Sequence, residues 1–364
     1  MTLTETAQLT KRSAVVLTVI LLAYFTSQAV WARVKPIIFP PRLPPPEVAF
    51  GKLPTPAIPS LPLEEGASPK YVVDTTTGRL PQDLPDRAKV YKIILPKTTL
   101  LSSTRAKELA TKLGFSGDPQ RISSSEYRWE KAETGRTLKT NITTGNFSLE
   151  TDIKKLSGLG SGSPPSTAAA VDQAQNFLQG LESLDESYLG GRREAVYLKI
   201  DRASLKKVET LAEAQLTRVD FFREIDEQPV VGAKPYRGLV SVVLGKDIIP
   251  FVFYYHWPLD PKQSTTYPLK SVEEVWSEVE RGRARITFLA PADADPFSSA
   301  YEPPDLTTIY VHQISLGYFD SEKLQNYLQP IYILEGLGLT ADRQQLKYIA
   351  YLPAIASDWI AGEK

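Results

Sequence analysis

Two histidines, His256 and His312, are the only imidazoles in 364 residues, and the chain has no cysteine. That pair, and a few acidic or glycine-rich stretches, are the residues whose types could do chemistry. An imidazole becomes a general base when a nucleophile or carboxylate lies within hydrogen-bond reach. His256 follows Tyr254 and Tyr255, and His312 alternates with Tyr310 and Ile314, so both read as strand residues. No G-x-S-x-G turn supplies a nucleophile, and a hydrogen-bonded, half-buried imidazole is the favoured reading for each. Two histidines without cysteine cannot build a histidine-rich or thiolate zinc site. Asp293 and Asp295 in PADADPF lack the glycine and trailing glutamate of an EF-hand loop and read as a surface loop. Asp226-Glu227 reads as a turn after a strand. The glycines of GLGSG at 158–162 precede Pro164-Pro165, which removes the free N–H groups a phosphate cradle needs. That stretch reads as a linker. The expectation is a protein without catalysis, metal or cofactor.

Lys and Arg balance Asp and Glu at 42 each, which gives no electrostatic footprint for nucleic acid. The strongest candidate surface is aromatic. Alternation from Phe251 would place Phe251, Phe253, Tyr255 and Trp257 on one face, with Tyr254 and His256 on the other. That face is either core packing or a binding face for a peptide, a glycan or a partner protein of the cell envelope. Asn141-Ile-Thr and Asn146-Phe-Ser match a glycosylation pattern but fall on expected strands.

The elements that would position these residues begin with a candidate membrane span. Ser13 to Ala32 is twenty residues without a charge, nine of them Val, Leu, Ile or Phe, behind Lys11-Arg12 and before Arg33. Twenty helical residues rise roughly 30 Å, the thickness of a bilayer core. This predicts a short cytoplasmic tail at 1–12, a transmembrane helix at 13–32 and export of the rest, so that the chain meets the membrane through its own helix. A cleaved signal ending at Ser27-Gln28-Ala29 is the competing reading. Basic residues on both sides leave orientation open.

Residues 33–70 form a proline-rich stalk, with ten prolines between Pro36 and Pro62. So many missing donors predict extended polyproline II and a spacer of roughly 100 Å at about 3.1 Å per residue. The apolar residues Ile37, Ile38, Phe39, Val48 and Phe50 are unusual in a free linker and predict that part of the stalk packs on the domain.

Behind the stalk, three helical stripes are each followed by strand-like alternation. Ala106, Leu109, Ala110 and Leu113 form the first, closed by Gly114 and Phe115. Ala170, Val171, Ala174, Phe177 and Leu178 form the second. Val272, Val275, Trp276 and Val279 form the third, opened by the capping box Ser271/Glu274 and ended by Gly282. Pro250 predicts an edge strand or a bulge near 248–257. The resulting expectation is an α+β fold of three modules at 71–158, 164–260 and 268–358, each a helix packed on an antiparallel sheet.

The segments SVEEVWSEVERGRARI at 271–286, YLQPIYILEG at 327–336 and YIAYLPAI at 348–355 give the C-terminal quarter a pattern that resembles the extracytoplasmic YycH/YycI-type regulatory proteins and PepSY-like modules. The resemblance implies a membrane-anchored binding or regulatory domain outside the cytoplasm, without catalysis. The long proline stalk departs from that pattern. A structural envelope spacer is the alternative, and a hydrolase assembled in space around His256 or His312 is a third.

Overall fold

Long, strongly apolar segments dominate the C-terminal half, and in the computed structural model they pair into sheets that draw in strands from the whole chain. The structure describes residues 45–156, 162–201, 204–291 and 303–361, together with Tyr24, Ser27 and Trp31. Residues Pro46–Lys364 form one compact unit and Met1–Pro45 another.

The chain first lays down β1 (Lys70–Val73), β2 (Arg87–Ile93), α1 (Ser102–Lys112), β3 (Gln120–Arg121), β4 (Glu126–Lys131), β5 (Arg136–Asn141) and β6 (Phe147–Thr151). Next come α2 (Ile153–Leu156), α3 (Thr167–Gly180), α4 (Glu186–Leu189), β7 (Arg193–Asp201), β8 (Ser204–Val208), β9 (Leu216–Phe221), β10 (Glu224–Ile225) and β11 (Gln228–Val231). It continues with β12 (Val240–Leu244), β13 (Phe251–Tyr254), β14 (Leu259–Pro268), α5 (Val272–Glu280) and β15 (Arg285–Pro291). The last strands are β16 (Leu306–Phe319), β17 (Tyr327–Thr340) and β18 (Gln345–Pro353).

Two nine-stranded sheets result. Sheet one runs β10-β11-β16-β17-β18-β15, with β1 on β16 and β2 bridging β14 and β17. Sheet two runs β3-β4-β5-β6-β13-β12-β9-β7-β8. The expected α+β fold of three modules is therefore corrected to a mainly β molecule. The three helices fall close to where their stripes place them, and the capping box is present: the Glu274 N–H donates to Ser271 Oγ (3.2 Å) and the Ser271 N–H to Glu274 Oε2 (2.7 Å). The strand pairing is what differs. β2, which lies within the bounds of the expected first module, pairs with β14 and β17 across about two hundred residues. β6 pairs with β13, which joins the expected first and second modules into one sheet. Helices α1 and α3 consequently share one core, Ala106, Ala110, Ala170, Ala174 and Leu178 packing with Leu138, Phe147 and Val242. Local periodicity fixes an element's type, whereas its partner depends on long-range packing.

The transmembrane helix is also corrected. No helix among the described residues is long and apolar enough to cross a membrane. Of the segment 13–32 only Tyr24, Ser27 and Trp31 are described, in helical conformation, and its other residues lie outside the described ones. The tail at 1–12 and the stalk up to residue 44 lie outside them too, except for what is stated above.

The described part of the stalk is not a free spacer. Leu53 is fully buried; its N–H donates to Trp359 O (2.8 Å), and its carbonyl accepts the Ala361 N–H (2.8 Å). Val48, Phe50, Leu61 and Leu63 pack against the core of sheet one, and Ile58 packs on its other face. The packing expected from Val48 and Phe50 is found; Ile37, Ile38 and Phe39 lie outside the described residues. Pro250 is a further correction. It precedes β13, which starts at Phe251 in the middle of sheet two, so it costs the ladder no donor.

Candidate functional site

The expected aromatic face divides in two. Phe251 is buried with Leu156, Leu198, Leu216 and Val243, and Phe253 packs on the same cluster under the Arg237 guanidinium, 4.5 Å from the ring centre. These two are core. Tyr255 and Trp257 lie beyond the end of β13, where the strand alternation no longer holds, and both line a groove of about 590 Å³. Trp257 is nevertheless nearly buried among Tyr91, Val230, Tyr318 and Leu328, its indole N–H donating to Ser321 O.

The groove arises from the alternation of β4, β5 and β6. Tyr127, Trp129, Leu138, Phe147 and Leu149 turn toward the helices. Their neighbours Arg128, Lys139 and Ser148 stand in register on the opposite face, with Glu126 across from Asn141 in the next row. The loop between β16 and β17 forms the other wall with Glu322, Lys323 and Leu324. Ile122 and Leu324, 52 % and 53 % exposed, mark the rims. Ile94 and Leu95 are exposed beside them, since the Ile94 N–H donates to Pro258 O (2.8 Å) and the Ile93 N–H to Asn326 O (2.9 Å). Thr98 Oγ1 meets Thr143 Oγ1 of the groove at 2.6 Å, two residues before the fully exposed Leu100. Several aliphatic side chains thus face solvent around one opening, a pattern typical of interaction surfaces.

A buried polar cluster lies behind this wall. Arg223 and Asp320 are both buried, with Arg223 Nη1 and Asp320 Oδ2 3.7 Å apart. Arg223 Nη1 donates to Trp257 O (3.1 Å) and lies 3.4 Å from His256 Nδ1. His256 Nε2 is 3.5 Å from Asp185 Oδ2, and its ring meets Tyr188 edge-on. Burial first, and Arg223 second, push the His256 pKa down to about 4. Burial pushes Asp320 up to about 6 against the pull of Arg223. A base of such low affinity, held between a guanidinium and an aromatic edge, is neutral at physiological pH.

The structure does not bring the two histidines together. His312 sits on β16 with Nε2 3.3 Å from Asp74 Oδ2, whereas His256 belongs to the cluster behind the groove. Among the described residues no group of His, Cys, Asp and Glu could hold a metal ion. Asp226 and Glu227 form the expected turn, both at positive φ between β10 and β11, and Asp226 Oδ2 accepts the Tyr91 hydroxyl (2.6 Å). Asp293, Asp295 and 158–161 lie outside the described residues. Asn146 is buried and its Oδ1 accepts the His256 main-chain N–H (3.0 Å). Arg223, Asp320 and the 321–325 loop escaped the sequence reading. Each charge follows the end of a strand, where a charged residue ordinarily marks a turn.

No family model matches the sequence, and no curated protein matches it. Among solved structures, an uncharacterized protein from Eubacterium rectale aligns at 14 % identity with a TM-score of 0.38, over 77 % of this chain and 85 % of the other. A likeness of that degree carries no argument about fold or function.

Proposed function

We propose that this chain is a binding or regulatory domain without catalysis, and that its site is the groove between β4–β6 and the 322–324 loop. The observation that carries the reading is the pair of half-exposed aliphatic residues, Ile122 and Leu324, on opposing rims above hydroxyl and amide groups. Thr143, Asn141 and Ser148 offer donors and acceptors to a backbone, and the rims offer apolar contact. This suits an extended polypeptide segment that inserts an apolar side chain. A glycan is less well served. Tyr127, Phe147 and Trp257 are buried beneath the groove, which leaves Tyr255 as the one partly open ring among its aromatic lining. The reading without catalysis is supported by His256, whose ring is enclosed by Arg223, Asp185 and Tyr188 and does not line the groove.

Panning the full chain against a displayed library of random linear peptides tests the reading. Wild type should enrich peptides that share an apolar position. Leu324→Asp should weaken retention of those peptides at least tenfold, about 1.4 kcal/mol. No enrichment, or equal retention by the variant, overturns it.

A further inference from the structure

Asp320 is the last residue before the groove wall formed by the 321–325 loop, and its surroundings are incomplete. Its main chain is fixed, because the Asp320 N–H donates to Val231 O (2.9 Å). Oδ1 accepts the Ser321 N–H (3.1 Å) and Gln325 Nε2 (3.4 Å). Oδ2, fully buried, has no hydrogen-bond partner among the described residues, and neither has Nε of the facing Arg223. A buried carboxylate 3.7 Å from its guanidinium, without a completed bond, is a costly arrangement that relaxes when the carboxyl is neutral or when water reaches it. The residues that follow are held from one side by Trp257, through Ser321 O, and from outside by the Arg237–Glu322 ion pair.

We propose that residues 321–325 are a proton-operated wall of the groove, hinged at Asp320, closed over the neutral carboxyl and lifted when the carboxyl ionises. Naming what the wall gates rests on the groove reading above. The ionisable groups around Asp320 are Arg223 after β9, His256 before β14, and Asp185 and Tyr188 of the α4 region, with Arg237 and Glu322 farther out. Of these His256 opposes the effect in principle, since a buried imidazole favours opening on acidification. It is not carried on the wall, however. Its partners Asn146, Asp185 and Tyr188 belong to sheet two and α4. Glu322 rides on the wall and leaves Arg237 when it lifts, but its side chain is already 39 % exposed, so Asp320 is the buried carboxyl whose surroundings change. Closed, it binds a proton below a pKa of about 6; open to water, it has the ordinary carboxylate value. The closed state holds more protons between those values, so acid closes the wall and neutral pH opens it. From pH 5 to pH 7.5 the open fraction should rise roughly tenfold.

Hydrogen–deuterium exchange of the full chain without any peptide reads this directly. After correction for intrinsic rates, amides of 321–325 should exchange roughly tenfold faster at pH 7.5 than at pH 5, while those of β17 stay unchanged. Asp320→Asn should exchange slowly at both. Equal corrected rates in wild type overturn the wall, and so does an Asn variant that keeps the pH dependence. If Asp320→Asn does not fold, the wild-type comparison alone decides. Because no peptide is present, a failed exchange experiment leaves the groove reading standing, and a failed panning experiment leaves the wall standing.

Discussion

Sheet one is covered on both faces and sheet two on one and a half. In sheet one, Val275 and Val279 of α5 with Val48, Phe50, Leu61 and Leu63 close one side, while Ile58 and Tyr236 close the other over Ile333, Ile349 and Tyr351. In sheet two, α1 and α3 pack on one face. The opposite face carries a small core at the β7–β9 end and opens into the groove at the β4–β6 end. Stability and recognition are thus divided between two regions of one compact unit, and mutations should sort accordingly. Leu334→Ala in β17, fully buried, should cost about 2 to 5 kcal/mol through lost burial and a cavity. Lys139→Ala in the groove should stay within about 0.5 kcal/mol. Urea unfolding of both variants checks the contrast, and comparable losses would dissolve it.

The same comparison reaches into the proline-rich segment. Read from composition, Leu53 belongs to a spacer and its loss should be silent. Buried between sheet one and the C-terminal turn at Trp359, it is core, so Leu53→Ala should cost about 2 to 5 kcal/mol. A chain truncated to start at Tyr71 loses Leu53, Ile58, Leu61 and Leu63 together and should melt well below the full chain. Equal melting temperatures would restore the free-spacer reading.

Legibility followed the range of the interaction. The α5 cap, the Gly114–Phe115 helix end and the hairpin turns are settled within four or five residues, and the sequence shows them. Phe115, for example, donates its N–H to Ala110 O at 2.8 Å, as its position after Gly114 implies. The pairing of β2 with β14 depends on residues far apart in the chain, and alternation along one strand says nothing about its neighbour. The site was half legible for the same reason. Spacing singles out Tyr255 and Trp257, but the wall opposite them comes from residues 322–324, and Asp320 meets Arg223 only in the fold.

The polar cluster between the sheets gives a prediction with two opposing signs. His256 is depressed, so the stability it contributes is full above its ordinary pKa of 6.5 and lost as pH falls toward about 4. Asp320 is raised, so its contribution is full below its ordinary value of 3.8 and lost as pH rises through about 6. Between about pH 4 and pH 6 the two slopes offset each other in global unfolding. Relative to wild type, His256→Gln should therefore gain stability on acidification from pH 6.5 to pH 4.5, and Asp320→Asn should lose it. Melting temperatures across that range decide the matter, and two variants with slopes of the same sign would rule out the compensation.

The smallest expected effects lie at helix starts, and they separate the two sheets once more. Helix α5 of sheet one has its reciprocal Ser271/Glu274 cap, whereas α1 of sheet two begins at Leu101 with no side-chain cap. Ser271→Ala should cost about 1 kcal/mol, because it leaves the Glu274 N–H without its acceptor. Trp276 on the same helix is only partly buried, and its indole N–H reaches Glu280 at 3.0 Å. Trp276→Ala should therefore cost less than the 3 to 5 kcal/mol or so of a fully buried ring. Leu100 contributes neither a cap nor burial, so Leu100→Asp should leave the melting temperature unchanged. What the substitution should reduce is retention of the groove-selected peptides, because it puts a charge on the apolar surround of the opening. Unchanged retention would confine the recognition surface to Ile122, Leu324 and the groove floor.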